Sequence, residues 1–593
     1  MSRLADSPNG AWVALRQLSR NVQVILSLLA VAIGAAAGLA AIGFRAVIDL
    51  IQQLGFGFSG EAVATLAELL PWWHLLLVPT VGGLAIGLFV HFFMPGRRPH
   101  AVADVIEANA LRVGRMSATV GLKAALVSAA SIGVGASVGR EGPVVHLGAS
   151  LGSWVAKRLH LGRTPARTLL GCGVAAAVAA SFNAPIAGAF FALEVVVGHY
   201  ALTAFAPIVI ASVTGTIISR MHYGDFPAFI VPAVRTITSF WELPAFALLG
   251  AVAAVVAIVF MRAIFFTEDT LKRLPMPSWT RPALGGLVVG VMAIAFPQVL
   301  GVGYEATDDA LSGLYPLWLL LALVVAKTAA TAISLGSGFG GGVFSPSLFI
   351  GAMVGGAFGV IVTSIFPELS SGPGAYAIIG MGAMAGAVLG APISTVLMIF
   401  ELTSDYAATI AVMIATAIAS LITQQAQGRS FFTWQLLRRG VVVRGGQEIG
   451  LLRAIRARDV MESGFETVLS ETPIAVVRAR LQAAAHGELF VVDSAGRLTG
   501  VIAYSDMQET AFDTSHDAEL IAENVARTRP TVLQADDDLE TAIKAYSASG
   551  EVFLPVVDHQ DSRHLVGVAH EHKVMLAYHR ALDQARAEER GEV

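Results

Sequence analysis

The chain has 593 residues, 55% apolar and 14% charged, with a mean hydropathy of +0.68. An ordinary soluble domain carries about a quarter charged residues, so most of this chain belongs in a lipid bilayer. A net charge of −4 gives no basic footprint for nucleic acid, and the single cysteine, Cys172, excludes an intrachain disulfide and a multi-cysteine metal site.

The charges are uneven. Residues 451–593 hold 38 of the 82 Asp, Glu, Lys and Arg, the mark of a membrane part followed by a soluble one. The first segment, residues 1–20, is mixed and polar with no cleavage site after a short apolar core. It reads as a retained cytoplasmic leader, and its arginines favour an N-terminus inside the cell. Apolar runs follow at 22–50, 74–95, 117–138, 143–158, 168–181, 184–219, 243–267, 281–299, 316–335, 343–366, 374–402 and 407–424. Pieces such as 143–158 and 184–198 fall short of the ~20 residues of a full span, which predicts tilted or half-spanning helices. Irregular backbone at membrane depth survives only inside protein or along a polar path, so this is a site-bearing bundle rather than an anchor.

An internal repeat runs through these segments. APIAGAFFALE (Ala184–Glu194) recurs as APISTVLMIFE (Ala391–Glu401), and GPVVHLGASLG (Gly142–Gly152) shares its proline and last two glycines with SPSLFIGAMVG (Ser345–Gly355). The offsets are 207 and 203 residues. They divide a membrane domain, 21–440, into halves of about 21–220 and 240–430; substrate sites of repeat-built transporters lie between such halves. A linker at 441–457 leads to two β-rich α/β units, 458–515 and 525–583, and a charged tail, 584–593.

The chemistry concentrates in two loops. Gly139-Arg140-Glu141-Gly142-Pro143 places two charges in an apolar region, where each costs about 2.5–3.5 kcal/mol on insertion scales. Gly341-Gly342-Val343-Phe344-Ser345-Pro346 shares its design: glycines that let backbone approach a ligand, then a proline suited to the first helical position. A helix N-terminus offers free N–H groups and positive dipole, which hold an anion weakly enough to release it.

On these motifs, the separation between them and the two API…E segments, the chain resembles the CLC family of chloride channels and proton/chloride exchangers over nearly its whole length. The C-terminal units resemble a tandem pair of CBS modules. The resemblance implies an all-α polytopic membrane fold with inverted-topology repeats and broken helices, followed by an α/β cytoplasmic CBS domain. It also implies a homodimer with one pore per subunit, chloride as the bound ion, and no cofactor or metal. Glu141 is then the gating carboxylate, which occupies an anion site when charged and leaves it when protonated or displaced. Val343 and Phe344 would offer amides to the central ion, Gly139 and Gly142 would shape the loop around it, and Arg140 would hold the loop and bias its field.

Three positions depart from the family pattern. Pro99-His100-Ala101-Val102-Ala103 stands where Gly-Ser-Gly-Ile-Pro is usual, so His100 replaces an ion-contacting serine beside Ala101. Either His100 donates to the ion, or it turns toward the cytoplasm or a neighbouring carbonyl. The ion-contacting tyrosine falls near Phe432, which has no hydroxyl and either closes the pore sterically, the favoured reading, or is ordinary packing. Exchangers usually carry two glutamates after API; here Glu194 is followed by Val195, the pairing typical of the family's channels, and His199, four residues on, is either a substitute proton carrier or an ordinary surface or core histidine. In the CBS pair, Asp506 stands where a ribose hydroxyl is often bound, but the second copy has Lys573, so an adenine nucleotide and a purely structural role are both open.

The sequence thus predicts transmembrane chloride transport, with Val195 favouring a passive channel influenced by voltage and pH, and proton/chloride antiport the alternative. A multi-pass protein of the plasma (inner) membrane with a cytoplasmic N-terminus and CBS domain is the expected setting. An intramembrane enzyme has only Gly57-Phe58-Ser59-Gly60 behind it, with no facing histidine, so the chain is read as a non-enzyme. A nucleotide sensor with a passive membrane platform is undercut by two intact anion loops.

Overall fold

The computed structural model describes residues 22–225, 229, 239–441, 455–484, 487–507, 515, 517–559 and 563–590. The expected leader, 1–20, and most of the linker, 441–457, lie outside them. The chain divides into two compact units, Met1–Val443 and Arg444–Val593.

The first unit is helical, and among the described residues nine of its helices are long and apolar enough to cross a membrane. Its first half includes α1 (Val22–Phe56), α2 (Trp72–Phe93), α3 (Val102–Leu111), α4 (Ala118–Gly133), α5 (Glu141–Arg158), α6 (Arg163–Phe182), α7 (Pro185–Phe191) and α8 (Leu202–Tyr223), with one further short helix, Val63–Glu68, between α1 and α2. The second half comprises α9 (Leu243–Arg273), α10 (Arg281–Ala295), α11 (Tyr304–Leu311), α12 (Leu317–Ser337), α13 (Phe344–Ile365), α14 (Pro373–Leu389), α15 (Pro392–Thr403), α16 (Tyr406–Gln427) and α17 (Phe431–Arg438).

Two of the predicted apolar runs are each two helices. The run 374–402 breaks at Gly390, left-handed at φ 66°, before Ala391-Pro392 restarts the helix. The equivalent break, Asn183 at φ 58°, separates α6 from Ala184-Pro185 and α7. A left-handed residue ends a helix, and a proline at the first position of the next needs no N–H. The run 184–219 breaks again after a π turn, Ala192–Val197, at Gly198.

The repeat is also written in helix packing. A Cβ on Gly148 of α5 would lie 2.3 Å from the carbonyl oxygen of Gly173 in α6, and one on Gly173 would lie 2.0 Å from that of Gly148. In the second half Gly351 of α13 and Gly380 of α14 make the same mutual approach, at 2.5 and 2.4 Å. Lipid tails give apolar side chains no reason to prefer protein, so membrane helices associate through close contact at small residues. The two tight pairs bring α5 and α13, whose N-termini carry the anion loops, against rigid partners.

The second unit holds two sheets. Strands β1 (Thr467–Leu469), β2 (Glu488–Val492), β3 (Leu498–Ala503) and β4 (Arg527–Thr528) lie in that order, and β5 (Leu533–Gln534), β6 (Phe553–Val557) and β7 (Leu565–His570) form the other. In each, a parallel pair is followed by an antiparallel one, with a register shift at Val491/Val492 and again at Val556/Val557. The modules exchange segments. Ala457 packs in the second module's core, and β4, from the second module's stretch of chain, extends the first module's sheet.

Candidate anion-permeation site

The two glycine loops meet back to back. Gly139 donates its N–H to the Gly342 carbonyl at 2.7 Å, and Gly342 donates to the Gly139 carbonyl at 2.9 Å. These residues are 203 positions apart, the offset of the repeat, so a local two-fold axis passes between them. A two-fold contact is self-complementary: residue i meets j as j meets i. Gly341, at φ 159°, has no room for a side chain, since a Cβ there would lie 2.4 Å from that of Val138.

From this bridge α5 and α13 start in opposed halves, and Glu141, in the first turn of α5, reaches across to the start of α13. Its carboxylate accepts the Ser345 amide N–H at 3.3 Å, the Ser345 hydroxyl, and the Tyr304 phenol at 2.9 Å. Glu141 is wholly buried. An unpaired carboxylate in such a place is prohibitive; three donors and a helix N-terminus make it tolerable. The Arg140 guanidinium stands further off, its Nε 4.0 Å from Glu141, and lies over the Tyr304 ring at 4.4 Å. Arg140 and Glu141 are therefore not a simple ion pair. The stronger polar contact of Arg140 runs to Glu61, at 3.3 Å.

Glu141 and Gly142 line a cavity of about 350 Å³ together with Ala101, Val343, Phe344 and Phe432. Six of the positions predicted to meet the ion thus share one space, and Gly139 sits behind it in the loop bridge. Phe344 packs against Phe182 and Phe191, at ring centroid distances of 5.0 and 5.7 Å, which fixes the start of α13. Arg97, Arg98, Lys272, Arg281, Arg438 and Arg439 also line the cavity, against the carboxylates of Glu141 and Glu268. Arg98 and Arg439 are paired with Asp104 and Arg438 with Asp269, so the positive excess of the walls, which favours anions, is smaller than the count of arginines.

His100 is not among the lining residues. Its Nδ1 lies 3.4 Å from Asp104 and its Nε2 3.2 Å from the Pro95 carbonyl. Its contacts are those of the carbonyl-facing one of the two readings, with the Asp104 carboxylate four residues on. Asp104 also caps α3 by accepting the Ala101 N–H at 2.9 Å, and it pairs with Arg439 at 3.2 Å. The small Ala101 consequently leaves its side of the cavity without a hydroxyl.

The secondary candidates lie elsewhere. Glu194 caps α15, accepting the N–H groups of Ile393 and Ser394 at 3.0 and 2.8 Å and the Ser394 hydroxyl. Glu401, its counterpart 207 residues on, caps α7 through Ile186 and Ala187, both at 2.8 Å. Each repeat's glutamate thus closes the other repeat's helix. Val195 packs half-buried against the core, and His199 accepts the Ala201 N–H at 3.3 Å. None of the three borders the cavity.

Residues 82–424 match the family described as voltage gated chloride channel, and residues 457–511 and 522–580 match the CBS domain. The chain belongs to the voltage gated chloride channel (CLC) family. A protein named as a ClcB-like chloride channel in Ralstonia nicotianae is 37% identical over 401 residues, 67% of this chain and 92% of that one. The voltage-gated ClC-type chloride channel ClcB of Escherichia coli O157:H7 is 31% identical over 402 residues, 67% of this chain and 95% of that one. Among solved structures, a slow cyanobacterial Cl−/H+ antiporter superposes with a TM-score of 0.62 at 24% identity, covering 70% of this chain and 97% of that one. A eukaryotic CLC transporter gives a TM-score of 0.62 at 18% identity, covering 93% and 99%. At those identities the structures show a shared fold.

Within this CLC chain, sequence reasoning missed Tyr304, Ser345, Glu61 and Lys327. Lys327 is wholly buried; its ammonium donates to the carbonyls of Val299 and Gly301 at 3.1 and 2.9 Å and lies 4.9 Å from the Phe349 ring centre. It ties down the loop that delivers Tyr304 to Glu141. A lysine inside the apolar run 316–335 was the available signal, because intramembrane charge defaults to function.

In the CBS pair, Asp506 accepts the Ala503 N–H and the Arg527 Nε–H, both at 2.8 Å. Lys573 pairs with Glu462 at 2.7 Å. A ribose at Asp506 would compete with an existing ion pair, and the second module offers a committed cation in place of an acceptor. These residues fit a nucleotide poorly. Arg527 instead joins the modules, holding Asp506 of one and Glu551 of the other.

Proposed function

We propose that this chain carries chloride across a membrane through the cavity beneath Glu141, as a passive channel whose gate is the Glu141 carboxylate. The observation that carries the reading is the seat of that carboxylate. It lies against the Ser345 amide at the N-terminus of α13, where partial positive charge favours an anion. A chloride ion and the carboxylate compete for one place, so protonation of Glu141 or a rise in chloride frees the path. Channel behaviour is supported by Val195, which cannot relay a proton, by Glu194 committed to a helix cap, and by His199 turned to its own backbone.

The alternative is proton/chloride exchange, favoured by the same titratable carboxylate standing in the conduction path. Purified protein in liposomes separates the two: an outward chloride gradient drives uphill proton entry in an exchanger and dissipates without it in a channel. The accompanying proposals are a homodimer with one pore per subunit and a plasma-membrane setting. The leader and CBS pair then face the cytoplasm, and the CBS pair serves as a structural module without nucleotide.

A further inference from the structure

A second cavity, of about 260 Å³, borders Arg140 and does not include Glu141. Its charged walls are Arg45 of α1, Arg140 at the start of α5, and Glu61 from the connection after α1, with Asn183 and Tyr223 as polar edges. One atom organises them. Glu61 Oε1 accepts from Arg45 Nη2 at 2.8 Å and from Arg140 Nη1 at 3.3 Å. Two guanidiniums converging on a single oxygen define a position for a single-atom anion. Arg140 is only 8% exposed, while the Glu61 side chain is 43% exposed.

That asymmetry decides what can move. The Glu61 side chain is 43% exposed, on a connection turned by Gly57 and Gly60 at φ 82° and 120°, so its carboxylate has solvent to swing into. An exposed ion pair is cheaply broken. Arg140 cannot follow, since its guanidinium is buried and stacked on Tyr304. A buried guanidinium stripped of its closest carboxylate is costly, and an anion from solution is the available replacement.

We propose that Arg45 and Arg140 form an outer anion site for a small monovalent inorganic anion, with the Glu61 carboxylate as its displaceable occupant. Glu61 thus does at this site what Glu141 does at the inner one, and Arg140 faces both. The charged and titratable groups within electrostatic reach of Arg45 and Arg140 are Asp49 from α1, Glu61 from the connection after α1, Glu141 at the start of α5, Tyr223 from α8 and Tyr304 from α11. Three carboxylates against two guanidiniums leave the site net negative when all are ionised. Acidifying the face on which Glu61 lies therefore strengthens anion binding there.

The proposal rests on the chloride-transport reading for its role as a waiting site. In liposomes, with chloride and pH varied on the Glu61 face, Glu61→Gln is expected to lower the half-saturating chloride by up to about fivefold, the reach of an exposed ion pair, and to flatten its pH dependence. Arg45→Gln is expected to raise it. Crystals of Glu61→Gln grown in bromide are expected to show an anomalous peak between Arg45 and Arg140. Unchanged chloride dependence in both variants, or no bromide peak, overturns the outer site. Absence of chloride flux in the unaltered protein would instead sink the transport reading, and the bromide peak alone would then decide the outer site.

Discussion

The Tyr304 hydroxyl donates to the Glu141 carboxylate at 2.9 Å, with both side chains shut away from solvent. The phenol favours the ionised, seated carboxylate over one that has swung out. Glu141 of the first repeat is thereby held by the second, to which Tyr304 and Ser345 both belong.

Removing the phenol is expected to loosen the hold on the Glu141 carboxylate, the proposed gate. A hydrogen bond to a charged group contributes about 1.5–3 kcal/mol, so Tyr304→Phe is expected to favour the unseated carboxylate by roughly 10- to 100-fold. Chloride efflux from liposomes at neutral pH then rises above that of the unaltered protein. Efflux unchanged in a well-folded Tyr304→Phe protein would show that the phenol does not restrain the gate.

The reciprocal caps predict matched losses of stability. Carboxylates at helix N-termini contribute about 1 kcal/mol, so Glu194→Gln and Glu401→Gln are expected to lower thermal stability in detergent by similar amounts and to leave chloride flux standing. A Glu194→Gln protein with normal melting but lost transport would return Glu194 to the permeation machinery.

The CBS unit carries its own pH dependence. Glu488 at the start of β2 is pushed up to about 7, first by burial and then by the neighbouring Glu551, with Arg527 opposing and Asp506 adding to the rise. One of its oxygens is buried without a partner. A carboxyl that holds its proton more tightly when folded makes stability fall as pH rises from the ordinary range near 4.5 through about 7. Glu488→Gln is expected to flatten that fall. Equal pH dependence of CBS unfolding in the variant and the unaltered chain, followed by hydrogen exchange in the β2–β3 hairpin, would contradict it.

The features readable from the sequence are local or repeated. GREGP and GGVFSP place glycine and proline at fixed offsets because a helix start demands it, and the nearly equal offsets of 203 and 207 residues betray the two-fold in the order of residues alone. The partners of the two loops are different in kind. Tyr304 meets Glu141 across 163 residues and Glu61 meets Arg140 across 79, distances at which no periodicity carries a signal. His100 shows a further limit. Its position at the head of α3 is legible, but the choice of side-chain partner falls to Asp104 and a carbonyl, which sequence alone leaves level with the ion.

The central claim is that the Glu141 carboxylate occupies an anion's place and leaves it on protonation. The direct measurement is chloride flux through Glu141→Gln protein in liposomes, with internal pH recorded and external pH varied. The neutral side chain no longer competes as an anion, so the account predicts flux that has lost most of its dependence on pH and moves no protons. Flux from the variant that stays at the unaltered level and keeps its full pH dependence would contradict it.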